Sequence, residues 1–231
     1  MSRENTPPEA HCAACPMTRV GARRCIQEGG QGPPDCPTLS RPEMGKESLG
    51  VYKGDPWARM ARVAAQTERA GYEQAGLGFR PVHPRIVELM DFARRMGYKK
   101  MALLFCIGLR KEAAVAGEIL ETNGFEVLSA VCKVGCLPKS ELGLTREDQL
   151  NSNGEESMCN PVMQAALANE AGVDFNILLG LCVGHDTLAL AHLKAPATIL
   201  AVKDRALGHN PLAALQQYDT YYSYLKNRLF D

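Results

Sequence analysis

The chain has 231 residues, and its 26 Lys and Arg are matched by 26 Asp and Glu. That length accommodates one large α/β domain with a small appendage, and zero net charge leaves no electrostatic footprint for a nucleic-acid partner. No apolar run reaches the roughly 18 residues of a membrane span, and residues 1–10 lack the basic-then-apolar order of a secretory leader, so a cytoplasmic protein without membrane contact is expected. Nine cysteines are many for a compartment that keeps thiols reduced. Their odd number forbids complete pairing, and their clustering points to metal or catalysis.

The first cluster is Cys12, Cys15, Cys25 and Cys36, with the spacing C-x2-C-x9-C-x10-C. Residues 27–34 are rich in Gly and Pro and cannot be a packed helix or strand. A segment with so little core is one that a metal would help to fold. Four thiolates suit a structural zinc or an iron–sulfur cluster. The two Cys-Pro pairs favour the cluster, because a zinc ribbon shows two C-x2-C knuckles and here there is one. Residues 1–50 are thus read as a Cys-rich metal segment and linker, with 38–50 a polar linker, and residues 51–231 as the α/β domain with two leading helices.

Residues 56–74 read as a helix, with Asp55 as cap, Pro56 in the first turn and Gly71 as the stop. Residues 76–84 read as a turn and 84–96 as a second helix closed by Gly97. Strands are then expected at 99–109, 125–131, 174–181 and 197–202. Helices are expected at 110–122, from Asn160-Pro161 to Asn169, at 186–192, and from Asn210-Pro211 to about Lys226. The connection 133–157 is too long for a plain loop and reads as a mobile or functional segment. Alternating strands and helices imply a Rossmann-like, doubly wound parallel sheet, and convergence of the cysteines follows if the four strands pair in the order 2-1-3-4.

In such sheets ligands bind at the carboxyl ends of the strands. Cys106 falls near the end of the first strand, Cys132 at the end of the second and Cys182 at the end of the third; Cys159 stands just before a helix start, where a thiol pKa is lowered. These four are the candidate cofactor ligands. His185 and His209 follow strand ends and are candidate proton carriers, with Asp204 beside them. Lys203 and Arg205 suit either an anionic substrate or a surface ion pair. Cys136 has no assigned role.

The segments Phe105-Cys-Ile-Gly-Leu-Arg, Val131-Cys-Lys-Val-Gly, Met158-Cys-Asn-Pro, Gly180-Leu-Cys-Val-Gly-His-Asp, Val202-Lys-Asp-Arg and Gly208-His-Asn-Pro resemble an uncharacterised bacterial and archaeal family, domain of unknown function 1847. The likeness covers most of the chain, the N-terminal cysteines included. The resemblance implies a bound metal and no particular reaction. The order Cys132, Cys159, Cys182 is also similar to that of desulfidases holding a four-iron cluster by three cysteines, an analogy that implies a redox or desulfidase/lyase-type enzyme. A [4Fe-4S] cluster is therefore the expected cofactor, with zinc as the alternative. A small-molecule substrate fits the enzyme reading, and a homo-oligomer is open. The competing expectation is a non-catalytic sensor, carrier or scaffold with closed zinc sites. A nucleotide-binding enzyme is disfavoured, because no G-x-G-x-x-G or phosphate loop follows the first strand.

Overall fold

The computed structural model describes residues 9–150 and 154–230. The first eight residues of the expected metal segment, and 151–153 of the long connection, lie outside that range. The chain divides into two compact units, residues 1–66 and 67–231. Among the described residues no helix is long and apolar enough to cross a membrane.

In the first unit, single 3-10 turns at Cys12–Ala14 and Val20–Ala22 precede α1 (Pro37–Ser40) and α2 (Pro42–Val51). These helices occupy most of the polar linker expected over 38–50. Each starts with proline in its first turn, where the missing N–H costs nothing. Gly45 and Gly50 are tolerated in α2, which buries none of its residues. Residues 22–24 are tied to Gln31: Arg24 N–H donates to Gln31 O and Gln31 N–H to Ala22 O, both at 2.8 Å. A Cβ on Gly30 would stand 2.5 Å from Arg23 O, so this approach requires glycine. Helix α3 (Trp57–Ala70) crosses the division between the units.

The second unit opens with a two-stranded hairpin, β1 (Tyr72–Ala75) and β2 (Gly78–Pro81). It replaces the expected helix end and turn. Gly76, at φ 59°, takes the first position of its two-residue loop, a place that demands a positive φ. Helix α4 (Arg85–Met96) follows and stops at Gly97, at φ 76°, as the sequence implies.

A four-stranded sheet forms next from β3 (Lys100–Phe105), β4 (Glu126–Val131), β5 (Phe175–Leu179) and β6 (Ala197–Ala201). All pairs are parallel, and the spatial order is β4-β3-β5-β6. Helices cover both faces. On one, α4 and α5 (Arg110–Thr122) bring Leu89, Ala93, Ala116 and Leu120 onto Met101, Leu103, Phe175 and Ile177. On the other, α6 (Pro161–Glu170) packs Ala168 against Ala102, Leu104 and Ala130, and α7 (His185–His192) packs Ala189 near Leu178 and Cys132. This is why β3 and β5 read as unbroken apolar runs. Leu103 and Ile177 are fully buried, each worth about 1.5–3 kcal/mol relative to exposure. Asp174 fixes the start of the sheet. Its carboxylate accepts from the N–H groups of Lys99 at 2.7 Å and Lys100 at 2.9 Å, and these bonds lower its pKa.

Two further expectations need correction. The first strand ends at Phe105, and Ile107–Leu109 turns as a 3-10 helix. The last helix spans only α8 (Leu212–Gln216), with a separate 3-10 turn at Ser223–Lys226. Thr220 Oγ1 bonds Gln217 O and Gln217 Oε1, giving the backbone an alternative to the helix. The N-cap of α8 is Pro211 rather than Asn210, whose backbone carbonyl accepts from Ala213 N–H at 3.1 Å. Asn160, by contrast, caps α6 as its sequence implies, accepting from Met163 N–H at 3.0 Å.

Candidate functional site

Strand alternation aims the thiols. Residues 102, 104 and 106 of the first strand and its extension face α6, as do 128, 130 and 132 of its neighbour. The register Phe105↔Val131 then sets Cys106 beside Cys132. Each continues the ladder by one bond: Cys106 N–H donates to Leu179 O at 3.1 Å and Cys132 N–H to Phe105 O at 2.8 Å. Cys159 arrives from the start of α6. Asn160 N–H donates to Cys132 O at 2.7 Å, and Cys159 Sγ lies 3.8 Å from Cys132 Sγ. Ile107 N–H donates to Cys132 Sγ at 3.4 Å.

Gln164 locks this arrangement from within α6. It is fully buried, and its Nε2 donates to Phe105 O at 3.2 Å and Ala130 O at 2.7 Å. Those carbonyls lie at the ends of β3 and β4, just before Cys106 and Cys132. The two acceptors also fix which end of the amide is nitrogen. Sequence reading passed over Gln164; the visible signal was a polar residue amid the apolar positions of α6.

Cys182 follows β5 and belongs to the same cavity, but its Sγ accepts from Arg205 Nη2 at 3.0 Å. Its carbonyl accepts from His185 N–H at 2.9 Å and Asp186 N–H at 3.1 Å, so the loop is fastened to the start of α7. The cavity holds about 580 Å³ and is lined by Cys106, Cys132, Cys159, Cys182, His185 and His209, with Lys203 and Arg205. Its other wall is the long connection. That segment is stapled at its base, where Lys139 N–H donates to Glu156 O and Met158 N–H to Leu137 O. Glu156 accepts from Lys139 Nζ at 3.0 Å and from Leu150 N–H at 2.8 Å, bonds that lower its pKa. Leu142, Leu144 and Leu150 of this flap line the cavity.

Three neighbouring sulfurs do not ionise alike. The thiol of Cys132, then the Gly108 N–H and the Lys203 ammonium, bring Cys106 down to about 4 against its burial. The thiol of Cys132, then the charges of Lys133 and His185, lower Cys159 to about 6. Cys132 is pushed up, by Cys106, by Cys159 and by burial. Shared hydrogen bonding thus disfavours ionisation at Cys132 and favours it at Cys106 and Cys159.

His209 is held in an uncommon conformation, at φ 68°, which costs about 1–2 kcal/mol for a residue with a Cβ. Its N–H donates to Asp204 O at 2.8 Å, and its Nδ1 accepts from Asp204 N–H at 3.1 Å. The neutral ring therefore carries its proton on Nε2. Asp204, a candidate for chemistry from sequence, places its carboxylate on Leu207 N–H at 2.9 Å and builds the loop that presents His209. Cys136, at φ 48°, lies against Ser157 Oγ at 3.4 Å.

In the first unit Cys12, Cys15, Cys25 and Cys36 line one small cavity of about 80 Å³ with His11 and Asp35. Among the described residues, no three His, Cys, Asp or Glu side chains in either unit are already arranged as a metal-ion site. By donor type both cysteine sets fit a soft metal or an iron–sulfur cluster.

No solved structure matches the chain. An uncharacterized protein of Methanocaldococcus jannaschii is 39% identical over 171 residues, covering 74% of this chain and 81% of that protein. A family described as a protein of unknown function, DUF1847, matches residues 36–200. That span contains Cys36, the four cavity cysteines and His185. Cys12, Cys15, Cys25 and the loop carrying Lys203 to His209 fall outside it, so the family match is narrower than the sequence likeness implies. On this relationship the chain belongs to the DUF1847 family.

Proposed function

We propose that the chain is a metal- or cluster-binding protein whose working site is the cavity at the strand ends. Cys106, Cys132 and Cys159 are the inner ligands and Cys182 the fourth thiol, with a [4Fe-4S] cluster as the favoured occupant and zinc as the alternative. The observation that carries this reading is convergence: four thiols from four separate segments line one cavity, with Cys132 in contact with Cys159 and side by side with Cys106. Thiolates at a helix start and beside a lysine are the ligand form of cysteine. The cofactor, when bound, would supply Lewis-acid or electron-transfer chemistry.

The chain's own residues add two functions. His209, with Nε2 as donor, and His185 are placed to carry protons at the cavity wall. The apolar flap residues restrict water there. Cys182 bonded to Arg205 rather than to another thiol supports a three-plus-one site that leaves room for a small substrate, and hence a redox or lyase-type enzyme over a closed zinc scaffold. Cys12, Cys15, Cys25 and Cys36 are proposed as a second, structural site. The deciding experiment is anaerobic purification of the full chain, with iron, acid-labile sulfide and zinc measured. Iron and sulfide in equal amounts, reduced by Cys132→Ala and Cys182→Ala while the N-terminal site stays loaded, is the expected result. Stoichiometric zinc without iron selects the scaffold reading. Metal content unaffected by both changes would sink the cavity assignment.

A further inference from the structure

The cavity wall is unevenly charged. Its lining includes Lys133, Lys139, Lys203 and Arg205, and one carboxylate, Glu156. That carboxylate is already taken: Lys139 Nζ lies 3.0 Å and Lys133 Nζ 3.8 Å from it. Among the described residues neither Lys203 nor Arg205 forms an ion pair. Asp204, between the two cations in sequence, and Asp186, in the first turn of α7, each accept a backbone N–H, from Leu207 and Thr187 respectively.

Both cations stand against cysteines of the cavity. Lys203 Nζ lies over two glycines, 3.5 Å from where a Cβ would stand on Gly108 and 3.8 Å from that of Gly180. Arg205 Nη2 donates to Cys182 Sγ at 3.0 Å. Lys203 also bonds the Cys106 sulfur, so the partners of the two cations are cysteines, and no carboxylate of the cavity matches either charge. A lysine and a planar arginine fork lining one cavity are a donor set that takes an oxyanion. Across the cavity Leu142, Leu144 and Met158 offer an apolar wall. A site of this volume with few polar anchors and an apolar side suits a small organic ligand.

We propose that Lys203 and Arg205 form an anion subsite, beside Cys182, that binds the carboxylate head of a small organic acid whose body lies against the flap leucines. This subsite rests on the cavity being the working site, and it does not require a bound metal. Chelator-treated full chain therefore separates a failure here from a failure of metal loading.

The probe is a pair of alkylating agents of similar size, iodoacetate and iodoacetamide. With either, the Cys182 sulfur forms a bond to the methylene carbon, iodide leaves with the carbon–iodine electron pair, and the thiol proton goes to water. A more ionised thiol reacts faster with both reagents; a subsite for anions favours iodoacetate alone. Rates at individual cysteines are read by peptide mass spectrometry, with the exposed Cys12 as internal reference. The iodoacetate-to-iodoacetamide ratio at Cys182 is expected to exceed that at Cys12 by about tenfold. Butyrate, against chloride at equal ionic strength, should protect Cys182 from iodoacetate. Lys203→Met and Arg205→Met should each return the ratio towards that of Cys12. If a variant fails to fold by circular dichroism, the ratio and protection in the native chain decide. A native ratio no higher than at Cys12, or variants that slow both reagents equally, would overturn the subsite. Protection by inorganic phosphate with none by butyrate overturns the organic-acid assignment.

Discussion

Gln164→Leu tests how the thiols are positioned. The change removes two bonds, from Nε2 to Phe105 O at 3.2 Å and to Ala130 O at 2.7 Å. Phe105 O keeps the Cys132 N–H, and the parallel register gives Ala130 O the Phe105 N–H. Neither carbonyl is orphaned, so each lost bond costs about 0.5–1.5 kcal/mol rather than a full desolvation penalty. Gln164 Oε1 is buried without a partner among the described residues, and its removal offsets part of the loss. The net expectation is a destabilisation of about 1–2 kcal/mol, or about 0.5–1 M in the urea midpoint at unchanged slope. A second effect is local. With β3 and β4 no longer clamped at their ends, Cys132, 2% exposed in the native fold, should react faster with iodoacetamide than the global loss of stability accounts for. Unfolding curves and Cys132 labelling, measured on the same chelator-treated sample, check both. An unchanged midpoint together with unchanged Cys132 protection would refute the clamp.

Gly180→Ala should be among the most damaging single changes. Gly180 has φ 64°, and a Cβ there would stand 2.0 Å from Leu109 Cδ1, a buried side chain; a loss of about 2–4 kcal/mol in denaturant unfolding is expected. Asp174 predicts an acid dependence. Its folded pKa is lowered by the Lys100 and Lys99 N–H groups, so its contribution is complete above the unfolded value of about 3.9 and is lost as pH falls through the folded value. Asp174→Asn should therefore cost about 1–2 kcal/mol at pH 7 and much less at pH 3, read from urea midpoints at both. Glu156→Gln should loosen the flap, because it weakens the Lys139 and Lys133 contacts. Faster limited proteolysis between 139 and 150 with a thermal midpoint within a few degrees of the native one is the expected pattern.

Much of the second unit is legible as pattern. The apolar runs of β3 and β5, the Asn160-Pro161 start of α6 and the Gly97 stop of α4 all state their structure locally, and they recur where expected. The hairpin at 72–81 and the broken C-terminal helix were not legible. Each depended on a short-range choice between competing bonds, and periodicity does not report such choices. Helix α2 was hidden by Gly45 and Gly50, and α1 by its single turn. At the cavity, the strand-end positions of Cys106, Cys132 and Cys182 followed from the alternation of elements. The choice of neighbours did not: Cys132 against Cys159, and Cys182 against Arg205.

The sequence by itself determined the parallel strands, the helices between them and the carboxyl-end placement of the thiols, because side-chain period and capping act within a few residues. Tertiary structure alone decided that Cys106 and Cys132 face α6 in register, that Gln164 clamps their strands, and that Lys203 and Arg205 stand without carboxylate partners. Those facts depend on which distant segments share a neighbourhood. Packing of both sheet faces settles that, and no local pattern encodes it.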